Sequence, residues 1–315
     1  MTHRIFVTGA AGFIGSNLVD FLLKKENKVM GIDNFDPFYD KSIKQHNLKE
    51  ALKNPSFRFA EGDIRDTLFI DNCLTGFRPE IIIHLAAKAG VRPSISNPQE
   101  YLNVNVTGTL NILEAMKKNS IKKMIFASSS SVYGNNTNVP FSETDNVDYP
   151  ISPYAASKKA GELLCYTYHS LYRFDIFCLR FFTVYGSRQR PDLAINKFTS
   201  ALLKDEQILL YGDGSTSRDY TYIDDIIKGI TGSIANLKGY EIINLGESKT
   251  ISLKNLVSVL EKCTKKKAKL KYLPLQDGDV IQTFADISKA KKLINYMPEV
   301  DIETGIQNYI KSLEY

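Results

Sequence analysis

The chain has 315 residues, of which 43% are apolar and 24% charged, with a formal net charge of +5. Such a composition belongs to a globular protein with room for one large domain and a smaller one, and it excludes a disordered or fibrous chain. Charge so modest and so evenly spread argues against a nucleic-acid surface, and no apolar run approaches the roughly 20 residues that cross a bilayer.

Met1-Thr2-His3-Arg4 leads straight into an apolar stretch at 4–7 with no secretion-signal core, which predicts a cytoplasmic protein. Apolar and β-branched runs predict strands at 4–7, 28–32, 57–59, 81–85, 124–127 and 176–179. Amphipathic segments at 16–25, 66–74, 98–118 and 153–172 predict the helices between them. Strands and helices alternating in this way make an α/β fold, a doubly wound parallel sheet covered on both faces. Beyond about Arg180 the alternation loosens, and strands at 208–211 and 240–245 mix with helices at 224–236 and 253–263. The expected division is a Rossmann domain over 1–180 and a smaller α/β substrate domain over 181–315, tightly packed, with the chain crossing between them. The lysine-rich run 262–271 reads as a solvated helix end. Cys73, Cys165, Cys178 and Cys263 contain no C-x-x-C pair, so reduced thiols are expected and neither zinc nor disulfides.

The first strand runs into Thr8-Gly9-Ala10-Ala11-Gly12-Phe13-Ile14-Gly15 and then an apolar helix. Glycines at 9, 12 and 15 let the backbone turn tightly and approach a pyrophosphate. The helix N-terminus then stabilises that anion through free N–H groups and its dipole. Asp33 closes the second strand, where a carboxylate accepts both hydroxyls of a ribose and repels a 2′-phosphate, so NAD is expected over NADP. Asn34 follows it. Asp63-Ile64 ends the third strand where an adenine would lie, and Leu85-Ala86-Ala87 ends the fourth beside the ribose and phosphates. Strand-end packing explains either segment equally well.

Ser128-Ser129-Ser130-Ser131 precedes Tyr154-Ala155-Ala156-Ser157-Lys158, where the tyrosine and lysine sit one helical turn apart. Lys158 beside Tyr154 would lower the phenol pKa, and Ser129 would hold the oxygen that the phenol deprotonates. This suits removal of a hydride from a carbinol, with the dinucleotide as acceptor. His3, His46, His84 and His169 share no metal-ligand spacing; His84 reads as a core residue and no metal is expected.

Taken in order, T-G-x-x-G-F-I-G, H-L-A-A, S-S-S-x-V-Y-G and Y-x-x-x-K resemble the extended short-chain dehydrogenase/reductase family over essentially the whole chain. Within it the chain is most similar to nucleotide-sugar 4-epimerases. The segment 180–192, Ala89-Gly90-Val91-Arg92 and the loop 36–40 resemble the UDP-glucuronate 4-epimerase branch. The resemblance implies that Tyr154 takes the proton of the sugar 4-hydroxyl while a hydride leaves C4, giving a 4-keto sugar that turns over and is reduced on its other face. Lys158 would hold the nicotinamide ribose, Ser129 would orient the 4-oxygen, Ser128 and Ser130 would lie beside it, and Phe181 would border the cofactor. Arg218 is similar to the arginine that grips the pyrophosphate bidentately, and Asp279 to the residue on the uridine ribose. Tyr211 would stack on uracil, and Asn105 would reach the diphosphate-sugar region.

A uronate adds one demand. Its 4-keto form is a β-keto acid, so the carboxylate must be held away from the alignment that releases carbon dioxide. Arg190 and Thr183 are the candidates, with Arg188 and Arg92 as alternatives and a plain Arg190–Asp192 loop pair as the bland reading. Thr183 and Gln276 replace the asparagine and arginine of UDP-glucose 4-epimerases. No carboxylate follows Ser129 before Tyr133, which disfavours the related dehydratases and decarboxylases. The competing readings are an epimerase of UDP-N-acetylglucosamine or UDP-glucose, a dehydratase or decarboxylase, and a non-enzymatic NAD-binding scaffold. Family members commonly dimerise through two helices, so a homodimer through 98–118 and 153–172 is expected.

Overall fold

A computed structural model describes residues 2–275, 278 and 280–313. Six strands arise early in the chain: β1 (Arg4–Thr8), β2 (Lys28–Asp33), β3 (Phe57–Glu61), β4 (Ile81–His84), β5 (Lys123–Ser129) and β6 (Asp175–Phe181). A seventh, β7 (Tyr240–Leu245), returns from the later part of the chain. They form one parallel sheet in the order β7-β6-β5-β4-β1-β2-β3. The chain winds one way from β1 through β2 to β3 and the other way from β4 onward, so the crevice between β1 and β4 is the switch point where α/β sheets take ligands.

Both faces of this sheet are covered. The side-chain period of two sends Ile5, Val7, Ile81, Ile83 and Ile125 into one core and Phe6, Ile82, Met124 and Phe126 into the other. That is why the strands read as unbroken apolar runs in the sequence. The helices that matter for the site are α1 (Phe13–Lys24), α2 (Thr67–Phe77), α3 (Pro98–Leu102), α4 (Gly108–Lys118), α5 (Pro153–Tyr172) and α6 (Ile223–Asn236).

The structure corrects the expected helix 98–118 in one respect: a π-helical turn, Asn103–Thr107, separates α3 from α4. Gly108 packs directly on the Ile64 side chain, where any Cβ would collide. Helices Lys41–Leu48 and Ala194–Leu203 escaped the sequence reading. Beyond β6 the chain forms short strand pairs: 183–185 beside 220–222, 217–218 beside 251–252, and 207–211 beside 269–273. One apolar core joins both regions, running from Ile5 and Val7 through Phe198 and Leu256 to Tyr309.

Candidate active site

A cleft of about 470 Å³ opens above the carboxyl ends of the central strands. Gly9, Gly12, Phe13, Ile14 and Gly15 form its floor. Gly9 has φ +71°, and a Cβ there would come 2.8 Å from the Ala86 nitrogen; a Cβ on Gly15 would strike the Gly9 carbonyl oxygen. Both glycines are thus required by close backbone approach. Gly12 is the N-cap of α1 and brings no side chain to the first-turn N–H groups, which suits an anion there.

Asp33 is buried and accepts from the Ala11 and Phe35 N–H groups at 3.1 and 2.8 Å. Burial pushes its carboxyl up, with the Lys44 ammonium the strongest opposing influence. Asn34 donates to Asp63 at 2.8 Å, and hydrogen bonds from the Arg65 guanidinium hold Asp63 down at about 2. Ile64, Leu85, Ala86, Ala87 and Phe181 line the same space. The residues expected for the dinucleotide are thus brought together along one cleft.

A helix start sets the position of Tyr154. Ser152 caps α5 by accepting from the Ala155 N–H at 3.1 Å, and Pro153 occupies the first helical turn. Tyr154 then faces the cleft near the end of β5, where its phenol hydrogen-bonds with Ser129. Burial raises that phenol's pKa; the Ser129 hydrogen bond and the Arg190 charge oppose the rise, in that order. Tyr101 meets Tyr154 edge-on at 6.1 Å and anchors itself on the Ala89 carbonyl at 2.9 Å.

Two of the expected side chains also have protein partners here. The Lys158 ammonium donates to the Ala127 carbonyl at 2.7 Å, and burial brings its pKa down to about 8. Ser128 borders the cleft, but its hydroxyl turns inward and donates to Glu162 at 2.6 Å. Glu162 is in turn paired bidentately with the buried Arg180 at 2.8 and 2.9 Å. Ser130 lines the cleft, while Ser129 accepts from both the N–H and the hydroxyl of Ser131.

Thr183, Arg190 and Arg218 also line the cleft. Arg190 grips Asp192 at 2.9 and 2.7 Å and lies over the Phe38 ring, so the loop pair exists while the guanidinium still borders the site beside Tyr154. Arg218 donates to the carbonyls of Ser217 and Ile281. Arg188 instead pairs with Asp20 at 2.6 Å and does not line the cleft. The Arg92 guanidinium covers the Tyr211 ring at 4.8 Å, and neither residue lines the cleft. Asn105 is buried in the π-helical turn, its amide spent on the Lys88 backbone and the Ser157 hydroxyl. Asp279 and Gln276 lie outside the described residues.

Several cleft residues were not singled out from sequence. Lys88 pairs with Asp36 at 3.0 Å through both carboxylate oxygens, and Lys44 donates to the Asp36 carbonyl at 2.8 Å while lying over the Tyr39 ring. Position just past the end of β4 was the one available signal for Lys88. His84 is buried, hydrogen-bonded to Thr8 at 2.7 Å and Thr109 at 3.0 Å. In the lysine-rich run, Lys262, Lys267 and Lys269 pair with Glu303, Glu261 and Asp205, so much of its charge is already neutralised.

A family model described as GDP-mannose 4,6 dehydratase matches residues 6–309. The UDP-glucuronate 4-epimerase of Thermodesulfobacterium geofontis (strain OPF15) is 47% identical over 96% of this chain and 94% of its own length. Among solved structures, UDP-glucuronic acid 4-epimerase from Bacillus cereus in complex with UDP-glucuronic acid and NAD is similar with a TM-score of 0.94 at 39% identity, covering 99% of both chains. The UDP-glucose 4-epimerase from Thermotoga maritima with UDP-glucose follows with a TM-score of 0.91 at 32% identity, covering 99% of this chain and 98% of that one.

Proposed function

We propose that this chain, which belongs to the GDP-mannose 4,6-dehydratase family of extended short-chain dehydrogenases/reductases, is an NAD-dependent UDP-glucuronate 4-epimerase. One observation carries the reading beyond the family: a phenol, Tyr154, whose acidity both Ser129 and Arg190 favour, lines the same cleft as those two residues and the glycine loop. Proton transfer and carboxylate recognition then belong to one site.

The cofactor half fits NAD. Gly9 and Gly15 leave room only for backbone, the start of α1 offers N–H groups to a pyrophosphate, and Asp33 offers a carboxylate to a ribose diol. When bound, NAD supplies a reversible hydride acceptor for the sugar carbon. The protein's part is proton handling and restraint. Tyr154 removes the 4-hydroxyl proton and later returns it, with Ser129 orienting that oxygen. Lys158, braced on the Ala127 carbonyl, would hold the nicotinamide ribose. Arg190 holds the sugar carboxylate by a charge-assisted hydrogen bond, sharing or exchanging its present partner Asp192. Thr183 adds a hydroxyl on the same side. Held this way, the carboxylate stays out of line with the carbonyl π system and carbon dioxide is retained. Arg218 takes the diphosphate.

A dehydratase or decarboxylase finds less support. Among the described residues lining the cleft the carboxylates are Asp33, Asp36 and Asp63, none of them in the serine segment beside Tyr154. The decisive experiment incubates purified protein with UDP-glucuronate and resolves the products. Formation of UDP-galacturonate without carbon dioxide supports the assignment; no conversion, with turnover of UDP-N-acetylglucosamine or UDP-glucose instead, moves the chain to the neutral-sugar branch.

Two wider features belong to the same reading. Leu102, Leu110, Leu163, Tyr166 and Leu171 are exposed along α3, α4 and α5, which favours a homodimer formed through those helices. No helix among the described residues is long and apolar enough to cross a membrane, and Cys73, Cys165, Cys178 and Cys263 are free thiols, which favours a cytoplasmic setting.

A further inference from the structure

Asp219 lies beneath the substrate end of the cleft, completely buried, and the mechanism above does not use it. It stands between the short strands 217–218 and 220–222. Its carboxylate accepts from the backbone N–H groups of Glu247 at 2.7 Å, Ser248 at 3.0 Å and Ala285 at 3.1 Å, and from the Thr221 hydroxyl at 3.4 Å. Among the described residues no cation pairs with it, so these dipoles replace the water that folding removes. Gly246 allows the closure, because a Cβ there would come 3.1 Å from the carboxylate and press on Ala285.

The backbone of Asp219 is engaged as well. Its N–H donates to the Thr283 hydroxyl at 3.1 Å, and its carbonyl accepts from the Thr183 N–H at 3.0 Å. Thr183, Thr283 and the neighbouring Arg218 all line the cleft. One buried residue therefore meets segments that are distant in sequence, through its carboxylate near 247 and 285 and through its backbone near 183 and 283. A carboxylate ringed by donors from two other segments has a single position, and the residue beside it inherits that position.

We propose that Asp219 is a positioning residue for nucleotide-sugar binding, fixing Arg218 and Thr183 against the diphosphate and sugar ends of the ligand. The inference rests on the UDP-sugar reading above. Asp219→Asn keeps the volume but turns an amide NH₂ toward a ring of donors, so the loop 246–248 and the segment near 284 lose their common anchor.

The test compares wild type with Asp219→Asn in four measurements: the Kd of UDP by titration calorimetry, KM and kcat for UDP-glucuronate, bound NAD, and Tm. The expected result is a rise of about tenfold in both the UDP Kd and KM, with kcat within about threefold and bound NAD unchanged. An unchanged UDP Kd, whether or not Tm falls, overturns the proposal, as does a loss confined to kcat. If Asp219→Asn does not fold, Thr221→Val decides: a rise of about two- to threefold in the UDP Kd sustains the proposal and no change overturns it. Wild type that binds UDP but leaves UDP-glucuronate unchanged would defeat the assigned reaction, while the UDP measurements would still judge Asp219.

Discussion

At the scale of single residues, the proposed chemistry turns on what surrounds one phenol. Burial alone makes Tyr154 a poor acid; the Ser129 hydrogen bond and the Arg190 charge work against that burial. Tyr154→Phe should lower kcat about 10²- to 10⁴-fold while leaving bound NAD and UDP affinity near wild type. Steady-state kinetics with cofactor quantification checks it, and near-normal turnover would remove the phenol from the mechanism. The Tyr-x-x-x-Lys spacing correctly put Lys158 one turn away, but spacing does not say where an ammonium points. His84 makes a separate prediction. Burial holds its imidazole at about 3 against an ordinary value of 6.5, so it stays neutral in the fold. Between those two values the unfolded chain binds a proton that the native chain does not. Stability should therefore fall as pH drops below 6.5, with His84 contributing a slope of about 1.4 kcal/mol per pH unit down to about 3. Denaturant titrations of wild type and His84→Asn between pH 4 and 7 should show a shallower loss in the variant; parallel curves would contradict the assignment.

At the scale of elements, the cofactor loop depends on shape more than on any functional group. Gly15→Ala would drive a Cβ into the Gly9 carbonyl oxygen. The strand-to-helix turn would open, and the protein should be isolated with little NAD and with stability reduced by about 1–3 kcal/mol. Gly76→Ala near the end of α2 is the control, because nothing lies within 4 Å of the added methyl. Cofactor content after purification separates the two; equal NAD in both variants would refute the close-approach argument. The same scale explains the broken helix at 103–107. Its apolar periodicity runs through the break, so the sequence reads as one helix, while Asn105 and Gly108 meet partners in other elements only in the fold.

At the scale of the molecule, the proposed homodimer would bury the exposed apolar side chains on α3, α4 and α5. Leu163→Glu, at a position 56% exposed, should leave the fold and the NAD content intact. It should nevertheless shift the protein from dimer to monomer in sedimentation velocity. An unchanged sedimentation coefficient would place the interface elsewhere. The core that runs from Ile5 to Tyr309 supports treating the two expected regions as one packed body, since β7 from the second completes the sheet of the first.

Much was legible in advance because it is written in local order. Strands β1 to β6 and the glycine turn follow from period and turn chemistry, and fixed spacing was enough to single out Asp33, Ser129, Tyr154 and Lys158, which the fold brings to one cleft. What tertiary structure decided concerns partners far apart in sequence. The Ser128 hydroxyl could not be assigned to Glu162, nor Asn105 to Ser157, nor Lys88 to Asp36, from any run of residues. Those choices are made when distant segments exclude water together, because a buried polar group must then find whichever partner packing has brought within reach.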